Sequence, residues 1–112
     1  MRIDVHAHIF SKRYIDGLRR VFANDNSPAG HDAQRLIQWM NTDPRMTDVD
    51  GRLEEMAKWG VGMQILSVPF HGALVRDPSA AAELTHMANE VIVQAARAYP
   101  HQFRILLTLP LQ

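Results

Sequence analysis

Apolar and polar positions alternate between two periods along this chain. Ile3 and Val5 alternate with polar neighbours from Arg2 to His8, which predicts a short opening strand. Ser11 is placed to cap a first helix in which Ile15, Leu18 and Phe22 recur at helical spacing. Residues 24–30, Asn-Asp-Asn-Ser-Pro-Ala-Gly, are dense in turn formers and predict a loop. A short helix is expected over residues 32–40, with Leu36, Ile37 and Met40 on one side. Residues 41–50 are polar and interrupted by Pro44. Leu53, Met56 and Trp59 predict a further helix, ended by Gly60, which tolerates a left-handed C-terminal conformation.

The mostly apolar run over residues 61–68 stops at Pro69 and suits a parallel strand buried on both faces. Asp77-Pro78 is a strong helix start, with Asp as cap and Pro where its missing N–H costs nothing. That helix carries Leu84, Met87, Val91 and Ala95 and ends at Tyr99, before Pro100. Residues 104–109 predict a third apolar strand, stopped by Pro110. Strands alternating with helices predict an α/β fold with a parallel sheet and right-handed crossovers.

Composition narrows the function classes. Hydrophobic residues make up 46% of 112, enough for a real core. Twelve basic residues balance twelve acidic ones, so no global field draws in nucleic acid or an anionic membrane surface. Without cysteine there is neither a disulfide framework nor thiolate chemistry, and a metal would take nitrogen or oxygen ligands. The opening residues lack the apolar run of a signal peptide, and no stretch approaches about 20 uninterrupted apolar residues. A cytoplasmic location is the default expectation.

The candidate chemistry lies in His6-Ala7-His8, at the C-terminal end of the first strand. Residues i and i+2 of an extended chain point to one face, about 6–7 Å apart at Cα. Two imidazoles there can converge on one ion at roughly 2.0–2.1 Å per nitrogen. Six histidines in the chain make such a pair common by chance, so two polar residues entering a loop is the alternative.

Ile3-Asp4-Val5-His6-Ala7-His8-Ile9-Phe10 resembles the opening of the amidohydrolase-related group of the amidohydrolase superfamily, which includes aminocarboxymuconate-semialdehyde decarboxylase and aromatic-acid decarboxylases. The blocks Arg52-Leu53-Glu54-Glu55-Met56 and Gly60-Val61-Gly62-Met63-Gln64-Ile65-Leu66-Ser67 are similar to that group's second-strand region. Asn89-Glu90, Tyr99-Pro100, Phe103-Arg104 and Leu109-Pro110-Leu111-Gln112 resemble its third. The match is weakest from about residue 11 to residue 48.

This resemblance implies a (β/α)8 TIM barrel, present here as its first three strand units in a single incomplete domain over residues 1–112. A barrel of this type needs about 250 residues. It also implies a divalent metal, zinc foremost, with His6 and His8 as its first two ligands. The family's remaining ligands and acid–base groups would come from later strands. The implied activity is decarboxylation of a small carboxylic acid, aromatic-derived acids included, in an assembly of dimers or larger. Metal-dependent hydrolysis is the sibling chemistry on this scaffold. A non-catalytic truncated remnant and a self-contained α/β binding module are the alternatives from other classes.

Arg45 is a candidate carboxylate clamp, because a guanidinium can bind a carboxylate through two parallel hydrogen bonds. A solvated loop arginine is the plainer reading. His71 follows the second strand and is a candidate substrate contact, with Phe70 a candidate pocket wall. Asp4, two residues before His6, is expected on the same strand face. There it either supports the site or bonds neighbouring backbone. His31, His86 and His101 are expected in solvent.

Overall fold

The computed structural model describes residues 1–69 and 75–111. Three parallel strands, β1 (Arg2–His8), β2 (Val61–Ser67) and β3 (Phe103–Ile105), lie side by side in chain order. Helices α1 (Lys12–Phe22), α2 (Pro28–Met40) and α3 (Val49–Trp59) separate β1 from β2, with a single 3-10 turn at Pro44–Met46. Helix α4 (Pro78–Ala98) separates β2 from β3. Among the described residues no helix is long and apolar enough to cross a membrane.

The element boundaries follow from local chemistry. The Ser11 hydroxyl accepts the Tyr14 N–H at 3.0 Å and starts α1. Asp77 accepts from the N–H groups of Ser79 and Ala80 at the head of α4. Gly60 closes α3 with φ of 66°, a left-handed conformation that costs an L side chain about 1–2 kcal/mol. Helix α2 begins earlier than the turn-rich sequence suggests. The Ser27 hydroxyl accepts from Gly30 N–H at 3.1 Å, and Pro28 takes a first-turn position whose N–H would be orphaned anyway. Residues 24–26 are turn and loop as read, whereas 27–30 are the cap and first turn of a helix.

The core fills the space between the sheet and α1, α2 and α4. Phe10, Tyr14, Phe22, Leu66, Ile92 and Phe103 are fully buried there, each worth roughly 1.5–3 kcal/mol of transfer free energy. Gly17 lets α1 approach α4: a Cβ on it would stand 2.9 Å from Leu84 Cδ2 and 3.1 Å from Met87 Sδ.

Trp59 lies in the last turn of α3, as its spacing predicts, and donates its indole N–H to Glu55. Two expectations about the strands need correction. Strand β2 is buried on one face only: Gln64, Leu66 and Val68 face the helices, while Met63, Ile65 and Ser67 are half-buried. The third strand ends at Ile105 rather than at residue 109. Leu106 N–H still bonds the Leu66 carbonyl, and among the described residues the pairing with β2 goes no further. The Asn89 amide takes over, donating to the Thr108 carbonyl at 2.9 Å and accepting from its N–H at 3.0 Å.

Candidate metal centre

The register between β1 and β2 decides where each side chain of the opening strand points. Asp4 lies opposite Gln64, and Ala7 opposite Leu66, so three steps on β1 match two on β2. The extra residue is a β-bulge, a device that re-aims side chains. Gln64 and Leu66 both face the helices, which puts Asp4 and Ala7 on that face too. His6 and His8 point the other way, to the face of the sheet that the helices leave uncovered. The simple alternation that placed Asp4 beside His6 therefore fails at the bulge. Asp4 sits behind the strand, accepting from the His6 backbone N–H at 3.1 Å and from Gln64 Nε2 at 3.0 Å.

The two imidazoles converge as expected. His6 Nε2 and His8 Nε2 are 3.0 Å apart, with the ring planes at 83°. Two nitrogens at that separation can both reach one point at a bond length of about 2.1 Å, as a divalent ion bound by imidazole requires. The His8 ring is also fixed from behind. Its Nδ1 lies 3.0 Å from the Ser67 carbonyl oxygen and 3.1 Å from the Ser67 hydroxyl. A carbonyl only accepts, so Nδ1 carries the proton and Nε2 of the neutral ring keeps its lone pair for a metal. Phe10 stacks near the same ring at a centroid distance of 6.5 Å, and Tyr14 continues the stack beyond it at 6.4 Å. The donors present fit two positions of a coordination sphere. Among the described residues no group of three or more His, Cys, Asp or Glu side chains could hold an ion.

Arg45 does not turn toward the histidines. Asp43 holds its guanidinium through three hydrogen bonds of 2.7–3.1 Å, and Glu55 lies 4.0 Å away. That pairing lowers the Asp43 carboxyl below its usual range and raises the guanidinium. Arg45 lines a concavity of about 320 Å³ together with Asp4, Arg52, Trp59 and Gln64, a space that contains neither histidine. His71 and Phe70 lie outside the described residues. His31, His86 and His101 are exposed.

The sequence carried no clear signal for Arg52, which the structure places directly behind the site. From α3 its Nη2 donates to the His8 carbonyl at 2.7 Å and to the Arg45 carbonyl at 3.2 Å. Burial pushes this guanidinium down from its ordinary value, partly offset by Asp4 and Asp43. Ser67 was equally hidden: its part is played mainly by a backbone carbonyl, which no residue type announces.

No protein-family model matches the chain, and no curated protein does. Solved structures do. The chain is similar to 5-carboxyvanillate decarboxylase LigW from Sphingomonas paucimobilis, with 26% identity and a TM-score of 0.77. That match covers 96% of this chain and 34% of the other, so the chain spans about a third of the enzyme's length. A 5-carboxyvanillate decarboxylase from Novosphingobium aromaticivorans, complexed with manganese and 4-hydroxy-3-methoxy-5-nitrobenzoic acid, matches at 20% identity and a TM-score of 0.68, over 97% of this chain and 34% of that one. A dihydroxybenzoic acid decarboxylase from Polaromonas sp. JS666, with bound manganese and the inhibitor 2-nitroresorcinol, matches at 23% identity and a TM-score of 0.63, over 97% and 30%. With three parallel strands in barrel order and a histidine pair at the end of the first, the chain is a partial (β/α)8 barrel that is similar to enzymes of the amidohydrolase superfamily.

Proposed function

We propose that this chain supplies the first-strand ligands, His6 and His8, of a divalent-metal carboxy-lyase acting on a small aromatic carboxylic acid. The observation that carries the reading is the 3.0 Å convergence of two Nε2 atoms at the C-terminal end of β1. Catalytic groups of barrel enzymes gather at that end of the strands. The similar structures support the reaction class, since those named above are decarboxylases of aromatic acids, two of them holding manganese.

A divalent ion, when bound, supplies positive charge that stabilises negative charge developing on a substrate oxygen. The chain's own residues hold the ion's place and orient its ligands. His6 and His8 offer lone pairs, and Ser67 holds the His8 ring in the tautomer that frees Nε2. Arg45 and His71 stay candidates for the substrate carboxylate. To reach that carboxylate Arg45 would have to leave Asp43 and the concavity behind β1 that it lines.

The test is a titration of the chain with Zn²⁺, Mn²⁺ and Co²⁺, followed by carbon dioxide release from 5-carboxyvanillate and dihydroxybenzoate. Weak binding is expected, because complete sites use three or four protein ligands. Either His6→Ala or His8→Ala should abolish it. Zn²⁺ is expected to bind more tightly than Mn²⁺ whichever ion works in the enzyme, so the ion that supports carbon dioxide release decides between them. Binding that survives both substitutions would end the reading. Hydrolytic turnover without carbon dioxide release would move it to the hydrolase sibling.

A further inference from the structure

Behind the two histidines, four side-chain hydrogen bonds form an unbroken chain from one ligand's backbone to the other's. Asp4 Oδ1 accepts the His6 N–H at 3.1 Å, and Asp4 Oδ2 accepts from Gln64 Nε2 at 3.0 Å. Gln64 Oε1 accepts from Arg52 Nη1 at 3.4 Å, and Arg52 Nη2 donates to the His8 carbonyl at 2.7 Å. We infer that Asp4, Gln64 and Arg52 are positioning residues which set the separation of the His6 and His8 rings from the reverse face of β1. This rests on the reading of those histidines as metal ligands.

The bulge explains why such a device is needed. An extra residue between Asp4 and Ala7 takes the His6 N–H out of register with β2, leaving a backbone donor that the ladder does not use. An unused donor at a half-formed strand end would let the peptide rotate, and the His6 ring would rotate with it. Asp4 captures that donor. At the other end of the motif, the His8 carbonyl is captured by an arginine from α3, which reaches it across the sheet's helix face.

Three features argue against incidental contacts. Gln64 is the buried polar residue of β2, 8% exposed, and its amide is oriented by an acceptor on one side and a donor on the other. Arg52 keeps its Nε buried without a partner among the described residues, which leaves the Nη bonds to justify its place there. A buried orphan N–H costs about 1–3 kcal/mol. The chain also bypasses both rings, so it constrains the ligands without competing for their nitrogens. Outer partners of metal ligands are worth about 10–100-fold in affinity.

The test compares Arg52→Met, Asp4→Ala and Gln64→Leu with the wild-type chain. Co²⁺ binding is read by its visible absorption, and the imidazole ¹⁵N shifts are read in the metal-free chain at a pH above the imidazole range. Arg52→Met keeps the aliphatic stem, and circular dichroism checks that the helices persist. Each variant is expected to weaken Co²⁺ binding about 10–100-fold. In each, the His6 and His8 nitrogen shifts should move toward those of free neutral imidazole. Arg52→Lys retains one donor to the His8 carbonyl and should recover most of the loss. Should Arg52→Met unfold, Gln64→Leu breaks the same chain with a residue suited to a buried strand. Wild-type affinity and unchanged nitrogen shifts in folded variants would overturn the inference. If the wild-type chain takes up no Co²⁺, the metal reading fails, while the metal-free shifts still decide whether the network holds the rings.

Discussion

His8 Nδ1 stands 3.0 Å from the carbonyl oxygen of Ser67, the last residue of the neighbouring strand. The acceptor is a backbone atom, so the tautomer of His8 is set by strand pairing rather than by the Ser67 side chain. Ser67→Ala should therefore weaken metal binding by well under the ~10-fold expected for losing an outer partner. Isothermal titration with Co²⁺ measures it. A larger loss would assign the orienting role to the hydroxyl, which lies 3.1 Å from the same nitrogen.

Close approach of α1 and α4 depends on Gly17. A Cβ there meets Leu84 and Met87, both buried, and a branched side chain meets more of each. Gly17→Val should destabilise the chain by about 1–3 kcal/mol, the usual cost of overpacking. Urea unfolding followed by circular dichroism is the measurement. An unchanged midpoint would mean that the two helices separate without cost.

Tyr14 is held neutral by burial, which raises its phenol well above the ordinary value of 10.0. The folded-state pKa exceeds the unfolded one, so this contribution is whole below about pH 10 and is lost as pH rises beyond it. Thermal unfolding should show a drop in stability on the alkaline side, reduced in Tyr14→Phe. Phenolate absorption should appear only as the fold is lost for Tyr14. Tyr99, raised instead by its hydrogen bond to Asp50, is half-buried against the core.

Asn89 acts as a surrogate strand for Thr108, supplying both a donor and an acceptor at 2.9 and 3.0 Å. Asn89→Ala should cost about 1–3 kcal/mol if Thr108 finds no water in its place. Amide hydrogen exchange at Thr108 checks this directly. Its protection should vanish in the variant while that of Leu106, bonded to Leu66, persists.

Much of the scaffold was legible because its signals are local. Ser11, Asp77 and Gly60 mark helix ends by chemistry that acts within one turn, and all three do so in the structure. Ser27-Pro28 carried an equally local signal, but turn and helix start share that chemistry, and only the continuation of α2 separates them. The burial of β2 on a single face depended on how many layers surround the sheet, which no period along one strand reports.

The spacing of His6 and His8 by itself predicted that two imidazoles share a face of the opening strand, because side chains alternate along a regular extended backbone. The bulge falls before Ala7 and leaves that pair intact. Tertiary structure alone decided everything that gives this spacing a use. Register with β2 created the bulge that turned Asp4 away, and pairing brought the Ser67 carbonyl to Nδ1. The return of α3 laid Arg52 on a carbonyl 44 residues distant. Those contacts join backbone atoms and side chains far apart in the chain, and their geometry exists only once the sheet has assembled.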